Sequence, residues 1–351
     1  MTRAWLVFLA AVAAAQTSVV NPLLPSGPDP WITQRNGFYY YMNTTGRSLV
    51  IRRTKSIGAL AAAETKTVWR APADGPYSRD IWAPELHWLR GKWYIYFAGD
   101  AGKNESHRIW VLENGAADPL DGEWEMKGKA ADATDRWAID ATVFENGGRL
   151  YMVWSGWEGA VNGAQNLYLA EMSNPWTLRE PRVRLSTPEL PWEKIGDLKP
   201  RTPSEANPAD PTNPIHVDVN EGPEILKHGD RIFLVYSAGG CWTDYYSLGM
   251  LTAPASSDLM KPESWKKASA PVFWLSPSAH AFGPGHNSFF QSPDGSEDWI
   301  VYHANPESGQ GCGGKRAPRA QRFTWKADGT PDFGRPVAVG VELKAPSGEH
   351  D

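Results

Sequence analysis

The sequence contains only two cysteines, Cys241 and Cys312, and no Cys-x-x-Cys pair. Two cysteines are too few for a disulfide framework, and their spacing does not fit the usual structural zinc sites. Both lie in glycine-rich stretches, where they either form a disulfide or remain two buried thiols. The net charge is −5 without blocks of one sign, so we expect neither a nucleic acid nor a membrane surface as partner.

Long apolar runs are also missing, apart from one at the N-terminus. It extends from Trp5 to Ala15 and follows Arg3. Such a run is shorter than the roughly 20 residues that span a bilayer, but it suits the core of a signal peptide. We therefore predict a signal peptide over 1–15, with a buried N-terminal helix as the alternative. The remaining 16–351 are predicted to form a single domain that is secreted, extracellular or periplasmic, and monomeric.

Tryptophan, glycine and proline are abundant, with 18, 33 and 29 residues of the 351. Such a composition favours many short elements joined by turns over long helices. A turn glycine followed by an aromatic-rich strand recurs five times, and each copy is preceded by a segment that can pair with it as a hairpin. The five turn glycines are Gly37, Gly91, Gly148, Gly229 and Gly295.

A third strand follows in each copy, the last from Arg319 to Trp325, and weaker fourth strands follow some of them. Four-stranded units repeated five times predict an all-β fold, a five-bladed β-propeller with its active site in the central channel. A two-sheet sandwich is the alternative. The stretch from Pro188 to His216 is rich in proline and polar residues, and we interpret it as an insertion over one face.

One position of the repeat collects chemically active side chains. In a propeller the innermost strands surround a single channel, so equivalent positions should converge there. Buried carboxylates repel one another and cost stability, which favours a functional explanation, with a hard-cation site as the alternative. Counting eight residues back from each turn glycine, and nine in the fifth hairpin, gives Asp29, Ala83, Asp140, Glu221 and His286.

Two such carboxylates can cleave a glycosidic bond if one is ionised and the other is protonated. A third carboxylate nearby would raise the pKa of the acid, because its charge disfavours a second ionisation. Glu224 stands three residues beyond Glu221, and an extended strand would turn it to the opposite face. Glu85 stands two residues beyond Ala83 and could share its face, but deeper along the strand, and a buried or paired structural glutamate is the alternative.

These hairpins resemble the signature segments of glycoside hydrolase family 43, especially its secreted α-L-arabinofuranosidase-like members. The matches extend over nearly the whole mature chain, and their order is more specific than any one of them. Two segments, 239–244 and 188–216, depart from the family pattern and leave the fine choice of substrate open. The resembling segments are Asn21–Trp31, Ile81–Leu86, Trp137–Asp140, Val219–Glu224, Gly283–Phe290 and Arg316–Trp325.

The resemblance implies a hydrolase that inverts the anomeric centre and needs no cofactor for its chemistry. On that pattern Asp29 is the general base that activates water, and Glu221 is the general acid that protonates the departing oxygen. Asp140 adjusts the pKa of the acid and orients the acid or the substrate. The implied substrates are terminal α-L-arabinofuranosyl residues of plant cell-wall arabinan or arabinoxylan oligosaccharides.

The resemblance also implies further site residues. His286 matches a histidine at the channel axis, beside a bound cation, often calcium, or a water cluster. Arg319 matches an arginine that reaches the sugar, with a surface salt bridge as the alternative. Trp31 and Trp82 adjoin inner-strand positions and are candidates for packing on sugar faces. A β-xylosidase, an endo-arabinanase and a non-catalytic carbohydrate-binding propeller are the alternative functions.

Overall fold

The computed structural model describes residues 18–198 and 214–349. The predicted signal peptide over 1–15 and the middle of the 188–216 insertion lie outside the described residues. None of the described helices has the length and apolar character needed to cross a membrane. They are short 3-10 helices at Ile57–Ala62, Asn104–Ser106, Pro191–Lys194, Pro262–Ser264 and Pro277–Ala279.

Strands make up nearly all regular structure in the described residues, so the all-β expectation is confirmed. The first half of the chain contains β1 (Val19–Val20), β2 (Trp31–Arg35), β3 (Phe38–Met42), β4 (Ser48–Thr54), β5 (Glu64–Arg70), β6 (Arg79–Leu89), β7 (Lys92–Asp100), β8 (Arg108–Asn114), β9 (Glu125–Ala130), β10 (Ala138–Asn146), β11 (Arg149–Gly156) and β12 (Ala164–Asn174). The second half contains β13 (Thr177–Leu178), β14 (Val183–Ser186), β15 (Asp218–His228), β16 (Arg231–Ala238), β17 (Ser247–Pro254), β18 (Lys266–Lys267), β19 (Phe282–Gln291), β20 (Asp298–Asn305), β21 (Ala317–Trp325), β22 (Pro331–Asp332) and β23 (Glu342–Leu343).

The strands pair mainly with their sequence neighbours in antiparallel meanders. Three separate four-stranded sheets have the orders β2-β3-β4-β5, β6-β7-β8-β9 and β19-β20-β21-β22. A larger sheet contains β10 to β18, because a short parallel pairing of β12 with β15 joins two successive meanders. Several small sheets, rather than two facing ones, rule out the two-sheet sandwich.

The first strands of the meanders contact one another in a closed cycle. β2 contacts β6, which is followed by β10, β15 and β19, and β19 contacts β2 again. Buried side chains form clusters between successive meanders, and one cluster joins β3 of the first meander to β20 of the last through Tyr39, Tyr41, Trp299 and Val301. The cycle of first strands therefore encloses a common centre, and apolar packing closes it.

The N-terminal segment reinforces this closure. β1 pairs with β23, near the C-terminus. Asn21 is almost fully buried, its Nδ2 donates to the Ala320 carbonyl at 2.9 Å, and its Oδ1 accepts from the Ala320 amide at 2.8 Å. This amide side chain satisfies both backbone groups of a strand residue that would otherwise lack partners at the seam.

Two inner strands have an additional left-handed residue, Asp80 in β6 and Gly283 in β19, but one residue with this backbone lies at a corresponding place in every meander. In β6, β10, β15 and β19 that residue lies in a register shift of the hairpin, a β-bulge, and in the first meander it lies just before β2. A bulge bends the strand and redirects a side chain, and non-glycine residues with positive φ are uncommon. The five residues are Asp29, Ala83, Asp140, Gly222 and His286, with φ between 43° and 56°.

In the fourth hairpin this position belongs to Gly222, not to Glu221. His228 pairs with Arg231, so Gly229 is the first loop residue there, whereas Gly37, like the turn glycines of β6 and β10, is the second. Counting from the glycine is therefore one residue short in that copy. Glu221 precedes the bulge, and a Cβ on Gly222 would lie 3.1 Å from Nδ1 of His286.

Cys241 and Cys312 form a disulfide. It joins the loop between β16 and β17 to the loop between β20 and β21. Of the two alternatives that the sequence left open, the structure contains the disulfide, and the two loops are thereby tied at the rim of the central cycle.

The described start of the 188–216 insertion is anchored by a buried carboxylate, Glu193, which is 0% exposed. Its Oε1 accepts from the Tyr236 hydroxyl at 2.7 Å and from Asn220 Nδ2 at 3.0 Å, and Lys267 Nζ lies 3.1 Å away. Its Oε2 accepts from two backbone amides. Burial alone would raise the pKa of Glu193, but these donors and the lysine lower it below its usual value.

We predict that Glu193→Ala lowers the free energy of unfolding by about 3–5 kcal/mol, because it removes the nearest carboxylate of Lys267 and leaves several buried donors without an acceptor. The matched control is Glu189→Ala, which removes a carboxylate whose side chain is 60% exposed and lies 3.4 Å from the same lysine. That change should cost less than about 1 kcal/mol. Chemical denaturation of both variants measures the difference, and equal losses would contradict the assignment of Glu193 as the anchor.

Candidate active site

A cavity of about 370 Å³ opens at the centre of the cycle of first strands. Its residues come mainly from the inner strands or immediately before them, including three of the left-handed positions, and from the loops that join the second and third strands of the meanders. Leu198 and Val217, on either side of the undescribed part of the insertion, also face it. The lining residues are Asp29, Thr44, Trp82, Asn104, Trp137, Ile139, Asp140, Asn162, Gln165, Leu198, Val217, Glu221, Cys241, Trp242, His286, Cys312 and Arg316.

Asp29 is held as an ionised carboxylate. Arg316 donates to its Oδ1 at 2.7 Å, and the Thr44 hydroxyl donates to its Oδ2 at 2.6 Å. Thr44 in turn accepts from the Ala83 amide at 2.7 Å, which links the first two meanders. Burial would raise the pKa of Asp29, but the charge of Arg316 and the neighbouring donors hold it well below its usual range.

Two buried histidines lie against Asp29. His303 Nδ1 accepts from the Asp29 backbone amide at 3.0 Å, so this nitrogen carries no proton in that hydrogen bond. His286 Nδ1 lies 3.4 Å from Asp29 Oδ1 and 3.9 Å from Asp140 Oδ2. Burial lowers the pKa of both imidazoles, which favours their neutral forms and leaves Arg316 as the cation paired with Asp29.

The other two carboxylates retain protons more readily. Burial, followed by the charges of Glu221 and Asp29, raises the pKa of Asp140 well above its usual value. Burial and the charge of Asp29 raise the pKa of Glu221 to about 7, although the Tyr246 hydroxyl, which donates to Glu221 Oε1 at 2.8 Å, acts in the opposite direction. The cavity therefore holds one carboxylate that is ionised and one that can deliver a proton near neutral pH.

Tryptophans form much of the cavity wall. Trp82 stacks on the imidazole of His107, with ring centroids 4.2 Å apart. Trp137 stacks on Trp157 at 4.9 Å. Aromatic faces with a few polar groups between them are typical of ligand cavities. Trp82 thus lines the cavity, and its packing on a sugar face stays a prediction.

Trp31 and Arg319 do not line this cavity. Trp31 is buried, with its Nε1 donating to the Leu86 carbonyl at 3.0 Å. Arg319 is 1% exposed and donates to the carbonyls of Ala279 and His280, so it is not the surface ion pair of the alternative, and it lies outside the cavity lining. The cavity arginine is Arg316, in the loop before β21. Arg316 is not among the predicted site residues, although it is the first residue of the same resembling segment.

Glu224 also faces the interior, contrary to our expectation. The bulge after Glu221 adds one residue, so regular pairing resumes at Glu224, opposite Val235. Glu85 and Thr142 are likewise the first paired residues after the bulges of their own strands. Thr142 donates to Glu224 Oε2 at 3.3 Å. Burial raises the pKa of both glutamates well above normal, and the charge of Glu224 raises that of Glu85 further.

Candidate metal ligands fall in two places. His286 faces Asp29 and Asp140, but Arg316 already occupies Oδ1 of Asp29. Among residues 18–198 and 214–349, Asp80, Asp100 and His107 form the other group that could bind a metal ion, because one ligand atom of each lies within 4.8 Å of the other two. This group lies next to Trp82, which stacks on His107. The structure does not establish a metal at either place.

Comparisons with known proteins agree with the geometry. The sequence profile of "Glycosyl hydrolases family 43" matches residues 19–331. An extracellular exo-α-(1→5)-L-arabinofuranosidase from Streptomyces avermitilis is 39% identical over 94% of this chain, which spans 66% of that protein's length. The protein of the same name from Streptomyces chartreusis is 41% identical, over 81% of each chain.

A solved structure gives the same result. The crystal structure of an α-L-arabinofuranosidase from Lactobacillus brevis superposes with a TM-score of 0.82 and 38% identity, covering 92% of this chain and 98% of that one. The profile match extends over most of the described chain and includes all three cavity carboxylates, Asp29, Asp140 and Glu221. The chain therefore belongs to glycosyl hydrolase family 43.

Proposed function

We propose that this chain is an exported, exo-acting α-L-arabinofuranosidase that releases terminal α-L-arabinofuranosyl residues from plant arabinan or arabinoxylan and inverts the anomeric centre. The observation that carries the proposal is the pair of unlike carboxylates in one cavity. Asp29 is kept ionised by Arg316 at 2.7 Å, while Glu221 has its pKa raised to about 7. An inverting hydrolase needs one carboxylate in each state.

In this mechanism Asp29 accepts a proton from a water molecule, and the water oxygen attacks the anomeric carbon. The bond to the glycosidic oxygen breaks as Glu221 transfers its proton to that oxygen. Asp140 accepts from the Gly222 amide at 3.1 Å and thereby stays beside the acid, which it orients. After turnover Asp29 loses its proton to solvent and Glu221 regains one.

The choice of substrate and location rests on the relatives. Two of them are named extracellular exo-α-(1→5)-L-arabinofuranosidases. The apolar N-terminal run supports export of the mature chain 16–351, which we take to be one monomeric domain. We expect arabinan and arabinoxylan oligosaccharides as partners, and neither nucleic acid nor membrane.

The repeat supports a five-bladed β-propeller as the architecture. The described part of the chain has five inner strands in a closed contact cycle and five left-handed residues at corresponding places. Small-angle scattering, compared with the profile expected of a closed five-bladed ring, tests the architecture and the monomer together.

Calcium near His286 is a separate hypothesis. His286 and Asp140 would hold the ion and water would complete its shell, since the guanidinium of Arg316 occupies part of Asp29. The ion would supply positive charge beside the carboxylates, and no catalytic step is assigned to it. Metal analysis of the purified protein, with a chelator test on activity, decides the matter.

We predict that Glu221→Ala, Asp29→Ala and Asp140→Ala each lower kcat on arabino-oligosaccharides by about 10²-fold or more. Glu221→Ala should retain most activity on a dinitrophenyl arabinofuranoside, whose leaving group needs no proton, whereas Asp29→Ala should not. Full activity of Glu221→Ala on oligosaccharides would overturn the assignment of the acid.

A substrate panel separates the proposed activity from its alternatives. Wild-type protein should release single arabinose units from arabinan oligosaccharides and arabinoxylan and hydrolyse nitrophenyl α-L-arabinofuranoside. Release of internal oligosaccharides would indicate an endo-arabinanase, and preference for xylosides a β-xylosidase. Silence on all pentosides would favour a binding protein. Proton NMR of the first product should show the β-anomer if the reaction inverts.

The pH dependence tests the role of Tyr246. Because Glu221 must be protonated to act, kcat/KM should fall as pH rises through about 7. The Tyr246 hydrogen bond stabilises ionised Glu221 and lowers its pKa. Tyr246→Phe should therefore move the alkaline limb to higher pH, by about half a unit to one unit. Tyr245→Phe, a change at the adjacent exposed tyrosine, is the control, and a limb that moves to lower pH would contradict the assignment.

A further inference from the structure

The cavity has one wall that is built differently from the rest, and it lies in the segment that departs from the family pattern. The loop between β16 and β17 contributes Cys241 and Trp242 to the lining, and the loop between β20 and β21 contributes Cys312 and Arg316. The disulfide joins the two loops across a sequence separation of 71 residues. We call Cys241, Trp242 and Cys312 the disulfide wall.

The indole of Trp242 packs on one glycine of its own loop, and a glycine of the other loop approaches the Trp242 backbone. A Cβ placed on Gly240 would lie 2.2 Å from Cε2 and 2.7 Å from Nε1 of Trp242, so this edge of the ring packs directly on the Gly240 backbone. Gly311, with φ of +61°, approaches from the other loop, and its Cβ would lie 3.6 Å from Cα of Trp242. A side chain at Gly240 would therefore displace the indole, whereas a Cβ at Gly311 would meet the Trp242 backbone at an ordinary contact distance.

Asp244 holds the two loops together beside the disulfide. Its Oδ1 accepts from the Gly309 amide at 2.8 Å, and its Oδ2 accepts from the Ser308 hydroxyl. Without the disulfide the two loops would still be joined by these hydrogen bonds. The residues that would gain freedom to move are Cys241 and Trp242.

The disulfide wall lies on the side of the general acid. Glu221 pairs with Ser237 in the hairpin of β15 and β16, and the chain continues from Ser237 through Ala238 to Cys241 and Trp242. The same loop carries Tyr246, which donates to Glu221 at 2.8 Å. An acid protonates the oxygen of the leaving group, so the leaving part of the substrate must lie on this side of the cavity.

We propose that the disulfide wall is the subsite for the leaving-group sugar, with the Trp242 indole as the surface on which that sugar packs and the disulfide as the element that positions the indole. This rests on the proposed function, because it takes Glu221 as the acid. An apolar aromatic face presented to a cavity suits the C–H face of a pentose. The site therefore selects substrates in which arabinose is followed by another sugar.

The test compares arabinotriose with methyl α-L-arabinofuranoside, which lacks a second sugar. Trp242→Ala should lower the ratio of kcat/KM for the two substrates by about tenfold or more, mainly through KM for the trisaccharide. Gly240→Ala should lower the ratio similarly, although it leaves the tryptophan in the sequence. Cys241→Ala/Cys312→Ala should lower it by about threefold to tenfold, as expected for a displaced contact surface.

Tyr245→Ala is the matched control, because Tyr245 is on the same loop, is 54% exposed and does not line the cavity. It should leave the ratio unchanged. Melting temperatures of all variants show whether each one folds, and Trp242→Phe provides a milder change if Trp242→Ala does not. Equal losses on both substrates, or a lower melting temperature with an unchanged ratio, would overturn the subsite and leave the arabinofuranosidase intact.

Binding measurements keep the two proposals apart. In the Glu221→Gln background, calorimetry should give a Kd for arabinotriose that rises about tenfold with Trp242→Ala, and a Kd for the methyl glycoside that does not change. If wild-type protein hydrolyses neither substrate, the proposed function fails. If it hydrolyses both and the Trp242 variants bind arabinotriose normally, only the subsite fails.

Discussion

Three carboxylates share one buried cavity, and the contact of Arg316 with Asp29 at 2.7 Å decides which of them is ionised. Without a cation, burial and mutual repulsion would raise all three pKa values and leave no base. With the guanidinium on Asp29, that charge is fixed, and it in turn helps to raise the pKa of Glu221 and Asp140. One ion pair thus sets the direction of proton transfer, and the polar contacts of Thr44 and His303 serve to hold Asp29 in place for it.

The backbone delivers these groups to one point by an uncommon device. Bulges with left-handed residues recur in the inner strands, and such conformations cost about 1–3 kcal/mol each when the residue is not glycine. Other contacts of the fold must offset this cost, and they include the apolar clusters between meanders and the hydrogen bonds of Asn21 at the closure. The fourth copy uses glycine instead, because a Cβ there would crowd His286. Its carboxylate therefore comes from the preceding residue.

The sequence sufficed to predict the all-β class, the hairpins and the cavity positions of Asp29, Asp140, Glu221 and His286, because turn glycines and alternating aromatic residues report local geometry. It did not suffice where a bulge or an unexpected strand start changes which face of the sheet a residue occupies. The bulge after Glu221 turned Glu224 inward, and strand β21 begins at Ala317 rather than at Arg319. Starting two residues earlier leaves Arg316 in the rim loop and buries Arg319 within the sheet.

The prediction that Trp31 contacts the sugar did not allow for a similar irregularity. Trp31 follows the left-handed Asp29 by two residues and begins β2, where its indole packs in the core. The missed residues Arg316, Thr44 and Tyr246 lie outside the inner strands and have no repeated spacing that could reveal them. They share one structural property instead, because each lies in a loop that joins a second strand to a third. Inner strands fix where the reacting carboxylates converge, whereas these rim loops supply the partners that assign each carboxylate its charge. Since loops vary more freely than strands, the same arrangement of carboxylates can be tuned, through its rim, to different leaving groups.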